Sequence, residues 1–381
     1  MRLAVYTDYV YRREGDAVYA ERAFALFLAA LGEHVERLVI VGRLDPRPGA
    51  SHYRLPDGVE FVALPHYPSL VDVRRSLPAM ARSLSAFWRV LRDVDTAWLL
   101  GPYLLSVLFA GLAAARRRRV ALGVRQDTPS YARSRHPDRR WVHRAADLLD
   151  WTYRTIARRS SVVVVGPELA HHYSGARRVL PITVSLVPEA QIASAEEATG
   201  RSYDGELVAL SVGRLEREKN PLLLADVLAR LRERDPRWRL VVAGEGPMTG
   251  DLRDRLRSLG VEDAADLRGY VPIDGGLPEL YRASHALLHV SWTEGLPQVL
   301  FEAFAAGLPV VATAVGGVPA AVGDAALLVE PGDAERPAAE LARIGGDAEL
   351  RGRLVAAGRA RVREHTLEAE AHRVAEFLAE R

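Results

Sequence analysis

Short apolar runs of four to six residues alternate along this chain with longer stretches whose apolar positions recur every three or four residues. That rhythm predicts buried parallel strands covered by helices, an α/β fold. In the first half the strands are expected at 3–7, 38–41, 60–64, 96–100, 121–124 and 161–165. A second series is expected at 207–212, 239–243, 265–268, 286–290, 309–313 and 326–329, after a polar, Ala- and Glu-rich linker at 190–205. The pattern gives two Rossmann-like domains, at residues 1–190 and 191–365, and a final helix at 366–381. That helix carries Leu367, Ala371, Val374, Ala375 and Leu378 on one face, so it should pack back toward the first domain.

Residues 96–115 are twenty uncharged positions followed by four arginines, long enough to span a bilayer. Gly101-Pro102 splits the run into a strand and a helix from about 103 to 115, the reading adopted here. With 381 residues, 49% hydrophobic and 26% charged, the chain can build packed cores. It has no cysteine, hence no disulfide framework or thiolate site, and no signal-peptide pattern at its start, which suits a cytoplasmic protein. A net charge of +2 argues against a dedicated nucleic-acid binder. It conceals an asymmetry, because residues 116–159 hold thirteen Arg against four Asp. Trp141, Leu148 and Ile156 share this segment with Arg144 and Arg158 at helical spacing. Such a belt is either a solvated face or suits an anionic partner, a lipid surface, a phosphorylated acceptor or nucleic acid, and the amphipathic stretch within it either packs against the sheet or docks on a membrane.

Candidate chemistry lies mainly in the second half. In the run 291–313, Pro297 suits a helix start and Gly307 its end, so Glu294 falls just outside the helix and Glu302 within it. The amides of Gly295 to Val299 would be free donors at the positive end of a helix dipole, a place for phosphate or sugar oxygens. Glu302 lies in an apolar stretch where a carboxylate needs a polar partner, such as a diol. Arg214 and Lys219, five residues apart after the strand at 207–212, match a diphosphate, although paired surface charges are common at such turns. Gly244-Glu245-Gly246 follows another strand but lacks the full dinucleotide fingerprint, so a nicotinamide or flavin cofactor is not expected. Asp93-Val-Asp95 precedes its strand, and His136, His171 and His172 lack companions, so no metal is expected at either.

Taken together, Gly213-Arg214 with Lys219, Ala243 to Pro247, Glu294-x7-Glu302, the strand at 309–313 and Gly316-Gly317 resemble the retaining glycosyltransferases of family 4. The match runs over about residues 206–335. The resemblance implies the GT-B fold, two Rossmann-like domains facing across a cleft, with a nucleotide sugar as co-substrate and neither cofactor nor metal. It implies that Arg214 and Lys219 bind the diphosphate, with Gly213 beside them, and that Glu302 binds the ribose. Glu294 with the Gly295 and Leu296 amides would hold the transferred sugar, Val299 and Leu300 would line the donor, and the backbone near Val271 would meet the base. Reaction would proceed with retention, at an oxocarbenium-like centre attacked from the leaving-group side.

The acceptor, a small molecule, a glycan or a lipid-linked group, would bind the first domain. Here the pattern departs from the family: Gly15-Asp16 stands where many relatives carry Gly-Gly, and Arg125-Gln126-Asp127 where many carry a histidine. Gly15, Asp16 and Asp127, in the loop expected at 9–17 and after the strand at 121–124, are the acceptor-side candidates by position. An epimerase or phosphorylase on the same fold, or a non-catalytic nucleotide-sugar-binding subunit, stays open at this level.

Overall fold

The computed structural model describes residues 1–49, 51–66, 73–135, 138–273 and 275–380. His136 therefore lies outside the described residues. Two compact units are present, Met1–Leu186 with Leu367–Arg381, and Val187–Thr366.

The first unit contains β1 (Arg2–Glu14), β2 (Ala17–Ala20), β3 (Arg37–Leu44), β4 (Tyr53–Arg54), β5 (Glu60–Pro65), β6 (Thr96–Gly101), β7 (Arg119–Val124), β8 (Ser161–Val165) and β9 (Arg178–Ile182). Its parallel core runs in the order β5-β3-β1-β6-β7-β8-β9. Alternation along β1 explains the layering. Leu3 and Val5 join a cluster with Phe24, Phe27 and Leu28, while Ala4 and Tyr6 join one with Phe87, Phe109 and Tyr153 on the other face. Because both faces are covered, the central strands read as continuous apolar runs. The helix Leu367–Ala379 belongs to this unit, where Ala371, Val374, Ala375 and Leu378 lie in the first of those clusters.

The segment expected as a loop at 9–17 is instead a hairpin. The parallel ladder of β1 with β3 is interrupted between Tyr6 and Val10 and resumes at Val10 and Tyr11, and from Tyr11 to Glu14 the strand pairs antiparallel with β2, with Gly15 and Asp16 as the two exposed turn residues between Glu14 and Ala17. The uncharged run 96–115 is β6 followed by the helix Leu104–Ala115, and no described helix is long and apolar enough to cross a membrane.

The second unit contains β10 (Leu207–Val212), β11 (Trp238–Ala243), β12 (Ala265–Gly269), β13 (Ala286–His289), β14 (Val310–Thr313) and β15 (Ala326–Val329), all parallel in the order β12-β11-β10-β13-β14-β15. The strand order reverses between β10 and β13, which opens a crevice at their carboxyl ends. The expected linker is packed structure. Ser194 caps the short helix Ala195–Thr199 in a reciprocal box with Glu197. Its neighbours hold the end of the helix Gln298–Ala305: the Ala193 amide donates to the Ala305 carbonyl at 2.7 Å, and Arg201 donates to the Ala306 and Gly307 carbonyls. A cation there complements the negative helix terminus.

Candidate active site

Two loops meet where the second sheet changes direction. After β10 the chain makes a tight turn through Gly213 and Arg214 into the single 3-10 turn Arg217–Lys219. After β13 it runs through Ser291 and Glu294 to Pro297, which caps the helix Gln298–Ala305 in extended conformation, so the helix starts one residue later than expected. The Trp292 amide donates to the Glu218 carbonyl at 2.8 Å and ties the loops together.

That tie places Lys219 beside Glu294, although 75 positions separate them in sequence. The Lys219 Nζ donates to Glu294 Oε1 at 2.5 Å, the Ser291 hydroxyl donates to the same oxygen at 2.7 Å, and His289 Nε2 lies 3.0 Å from it. The Glu294 side chain is 6% exposed and that of Lys219 23%. Burial alone would push the Glu294 carboxyl up. The hydrogen bond from His289 and the charge of Lys219 outweigh burial and hold the group at about 2, ionised at any physiological pH. Every side-chain hydrogen bond made by Glu294 among the described residues goes to Oε1, and Oε2 has no partner among them.

Glycines set the backbone around it. A Cβ on Gly316 would sit 1.9 Å from the Glu294 carbonyl and one on Gly317 2.2 Å from the Gly295 carbonyl, so only glycine lets the turn after β14 support this loop. The Gly317 amide donates to the Gly295 carbonyl at 3.1 Å. Gly244 plays the same part on the other side, because a Cβ there would meet the Gly213 carbonyl at 1.8 Å. These glycines are explained by backbone meeting backbone. The amides of Gly295, Leu296, Gln298 and Val299 donate to no acceptor among the described residues, so four donors stand open at the mouth of the site helix.

The remaining candidates divide. Arg214, 59% exposed, does not converge with Lys219 on one point; its guanidinium pairs with Glu216 and with Glu218 at 3.2 Å. Its remaining N–H donors are on an exposed side chain. Glu302 accepts from the Tyr281 hydroxyl at 2.7 Å, a partner the sequence did not suggest, and burial raises its carboxyl against that bond. Val271 and Val299 are half-buried beside the same core. Leu300 must be corrected: its side chain is fully buried with Leu210 and Leu287, and its amide lies 3.4 Å from the Pro297 carbonyl, so it is a core residue.

In the first unit, Gly15 and Asp16 form the exposed hairpin tip, and Asp127 caps the helix Thr128–Arg135 by accepting from the Ser130 amide at 3.2 Å and its hydroxyl at 2.5 Å. Asp95 holds Arg2 at 2.8 Å and His172 lies 3.0 Å from Asp150, so these groups are structural pairs.

Residues 194–361 match the family model described as glycosyl transferases group 1. A D-inositol 3-phosphate glycosyltransferase of Actinosynnema mirum is 37% identical over 190 residues, 47% of this chain and 41% of that protein. The chain covers less than half the length of several such curated relatives. A 2-deoxystreptamine glucosyltransferase of Streptomyces kanamyceticus is 30% identical over 291 residues, 72% of this chain and 69% of the relative. The crystal structure of Anabaena HepE in complex with UDP aligns over 100% of both chains with a TM-score of 0.73 at 16% identity, which establishes the GT-B fold. With that fold, the matched second unit and a relative aligned over most of both lengths, the chain belongs to the group 1 glycosyl transferases.

Proposed function

We propose that the protein is a retaining glycosyltransferase of family 4, moving a hexosyl group from a UDP- or GDP-sugar to an acceptor hydroxyl without a divalent metal. The observation that carries this reading is the buried, ionised Glu294, held on one oxygen by Lys219, Ser291 and His289, at a helix mouth with open amides. In the proposed reaction Lys219 and Arg214 neutralise the diphosphate as the bond from sugar C1 to its oxygen breaks. The acceptor oxygen forms the new bond to C1 on the same face, and its proton passes to the departing diphosphate. Glu294 Oε2 and the Gly295 and Leu296 amides orient the sugar. Glu302 accepts from the ribose diol and the backbone near Val271 meets the base. A UDP-sugar is the donor to try first, since UDP is bound in the structurally similar HepE.

Titrating the protein with UDP-, GDP- and ADP-sugars should find one that binds, is slowly hydrolysed, and yields product of unchanged anomeric configuration by NMR in the presence of a chelator. Arg214→Ala should weaken donor binding about tenfold or more, the scale of a lost charged hydrogen bond, and lower transfer with it. Binding to none of the panel would defeat the donor reading, and an inverted product would defeat retention.

The basic belt is assigned to peripheral contact with an anionic membrane. On the helix Arg140–Ala157, Ala146, Asp150, Tyr153 and Ala157 are buried, while Trp141, Leu148 and Trp151 are 60%, 60% and 62% exposed on a face that also carries Arg140 and Arg144. Indole rings suit the headgroup region and arginines its negative charge. Arg140→Ala with Arg144→Ala should lower cosedimentation with phosphatidylglycerol vesicles about tenfold or more, at ~1 kcal/mol for each arginine. Unchanged cosedimentation of the double variant would remove the contact from the proposal.

A further inference from the structure

The first unit has its own change of strand order, between β1 and β6, and the carboxyl ends of four adjacent strands there deliver polar groups. Asp8 and Tyr9 stand where the parallel ladder of β1 with β3 is interrupted, Arg43 near the end of β3, Tyr103 just beyond β6, and Arg125 directly after β7. The crevice at such a reversal is where open α/β sheets bind ligands.

Arg43 is engaged: its Nε is 3.2 Å from an Asp8 carboxylate oxygen and its Nη2 donates to the Asp8 carbonyl at 2.7 Å. Arg125 is held differently. Its Nη1 donates to the Tyr9 hydroxyl and its guanidinium lies over the Phe24 ring, 4.1 Å from the centroid. Its Nε is buried without a partner, and among the described residues no carboxylate pairs with the group and Nη2 makes no hydrogen bond. A half-buried guanidinium fixed in plane by a hydroxyl and a ring, with part of its fork unused, is costly to keep unless an oxyanion completes it. The surrounding charge points the same way. Desolvation, Asp8 and Tyr9 raise the Tyr103 hydroxyl to about 12 while Arg125 and the exposed Arg22 pull it down, so these groups feel one another. The guanidiniums of Arg22 and Arg125 both act on Tyr103, and the Asp8 carboxylate that acts on it too is paired with Arg43.

We infer that the acceptor carries an anionic oxygen group, a phosphate or a carboxylate, gripped by the free edge of the Arg125 fork with Arg22 adding charge. The inference rests on the glycosyltransferase reading for the word acceptor, but the anion site itself does not. It also gives a physical sense to Arg125 standing where relatives carry a histidine: a planar fork that is always charged replaces a ring that titrates.

The test is calorimetry on the full chain with glucose 6-phosphate, glucuronate, inorganic phosphate and neutral glucose, and with phosphatidylcholine vesicles with and without phosphatidylinositol. At least one anionic probe should bind about tenfold or more tightly than its neutral counterpart, and Arg125→Met should remove that advantage. Arg125→Lys, which keeps the charge and loses the fork, should fall between. Discrimination among the soluble sugars marks a free anionic acceptor, and discrimination confined to vesicles marks a lipid headgroup. If Arg125→Met shows no cooperative melt, Arg125→Lys and Arg22→Ala decide. The proposal is overturned if no anionic probe outbinds its neutral counterpart, or if the folded variants bind anions as the wild type does. UDP, GDP and ADP titrated into the same samples separate the two readings: binding of none of them, with an intact anion preference, defeats the donor assignment alone.

Discussion

Replacing Glu294 with Gln is expected to lower transfer about 10²- to 10³-fold, the scale of removing one preorganised electrostatic group, while UDP affinity stays nearly constant. Oε1 is engaged by Lys219, Ser291 and His289, so on the proposed reading the other oxygen is the one offered to the sugar. An amide there carries no charge to stabilise a positive sugar centre, and one of its ends must present N–H either to the Lys219 ammonium or to the ligand. Nucleotide contacts assigned to Arg214, Glu302 and Val271 are untouched, which separates this outcome from general loss of donor binding. The same variant reports through pH. The Glu294 carboxyl is lowered from 4.5 to about 2, so its ionised form stabilises the fold above 4.5 and that contribution is lost as pH falls toward 2. The stability gap between wild type and Glu294→Gln in urea melts should therefore narrow from pH 6 to pH 3, from an upper bound on the order of 3 kcal/mol. Wild-type transfer by Glu294→Gln, at unchanged donor affinity, would strip Glu294 of this role.

Much of the fold was legible because parallel strands buried on both faces leave a nearly continuous apolar run. The segments at 161–165, 207–212 and 326–329 coincide with β8, β10 and β15 residue for residue. The strands that were missed obey other rules. β2 and β4 are short: β2 exists because the polar extension of β1 offers it an antiparallel edge, and β4 pairs antiparallel with β2 in turn. β9 is an edge strand carrying Pro181, whose pattern is weak by itself. The segment at 190–205 has a linker's composition, but its Ser194-Glu197 capping box was a readable helix signal.

The site divides along the same line. Glu294 and the helix after it follow from local sequence, whereas the pairing with Lys219 depends on one loop-to-loop bond, Trp292 to Glu218, that no periodicity encodes. His289 was hidden in its strand. A histidine ending the run Ala-Leu-Leu-His, five residues before the carboxylate, was the available signal. Leu300 was misassigned because proximity to a helix mouth does not say which face a residue takes. Its neighbours in space, Leu210 and Leu287, come from two strands that sequence alone does not bring together.

Lys219→Met should have the second large effect, and its form distinguishes a catalytic ammonium from a merely structural one. In the free protein one of the three Lys219 N–H donors is committed to Glu294 Oε1, at 2.5 Å, and two remain for a diphosphate. Methionine keeps the stem and removes both functions, so transfer should fall about 10²- to 10³-fold together with weaker UDP binding. It also leaves a carboxylate that is 6% exposed supported only by His289 and Ser291, which costs about 1–3 kcal/mol of stability, less than for a fully buried pair because Lys219 is 23% exposed. Removing the orphaned charge as well should restore part of that loss. The double variant Lys219→Met with Glu294→Gln should thus melt above the temperature expected from adding the two single effects, although it regains no activity. Strict additivity in stability would mean the two groups do not interact in solution. Full transfer by Lys219→Met would mean that the leaving group draws its positive charge from elsewhere, with Arg214 the first place to look.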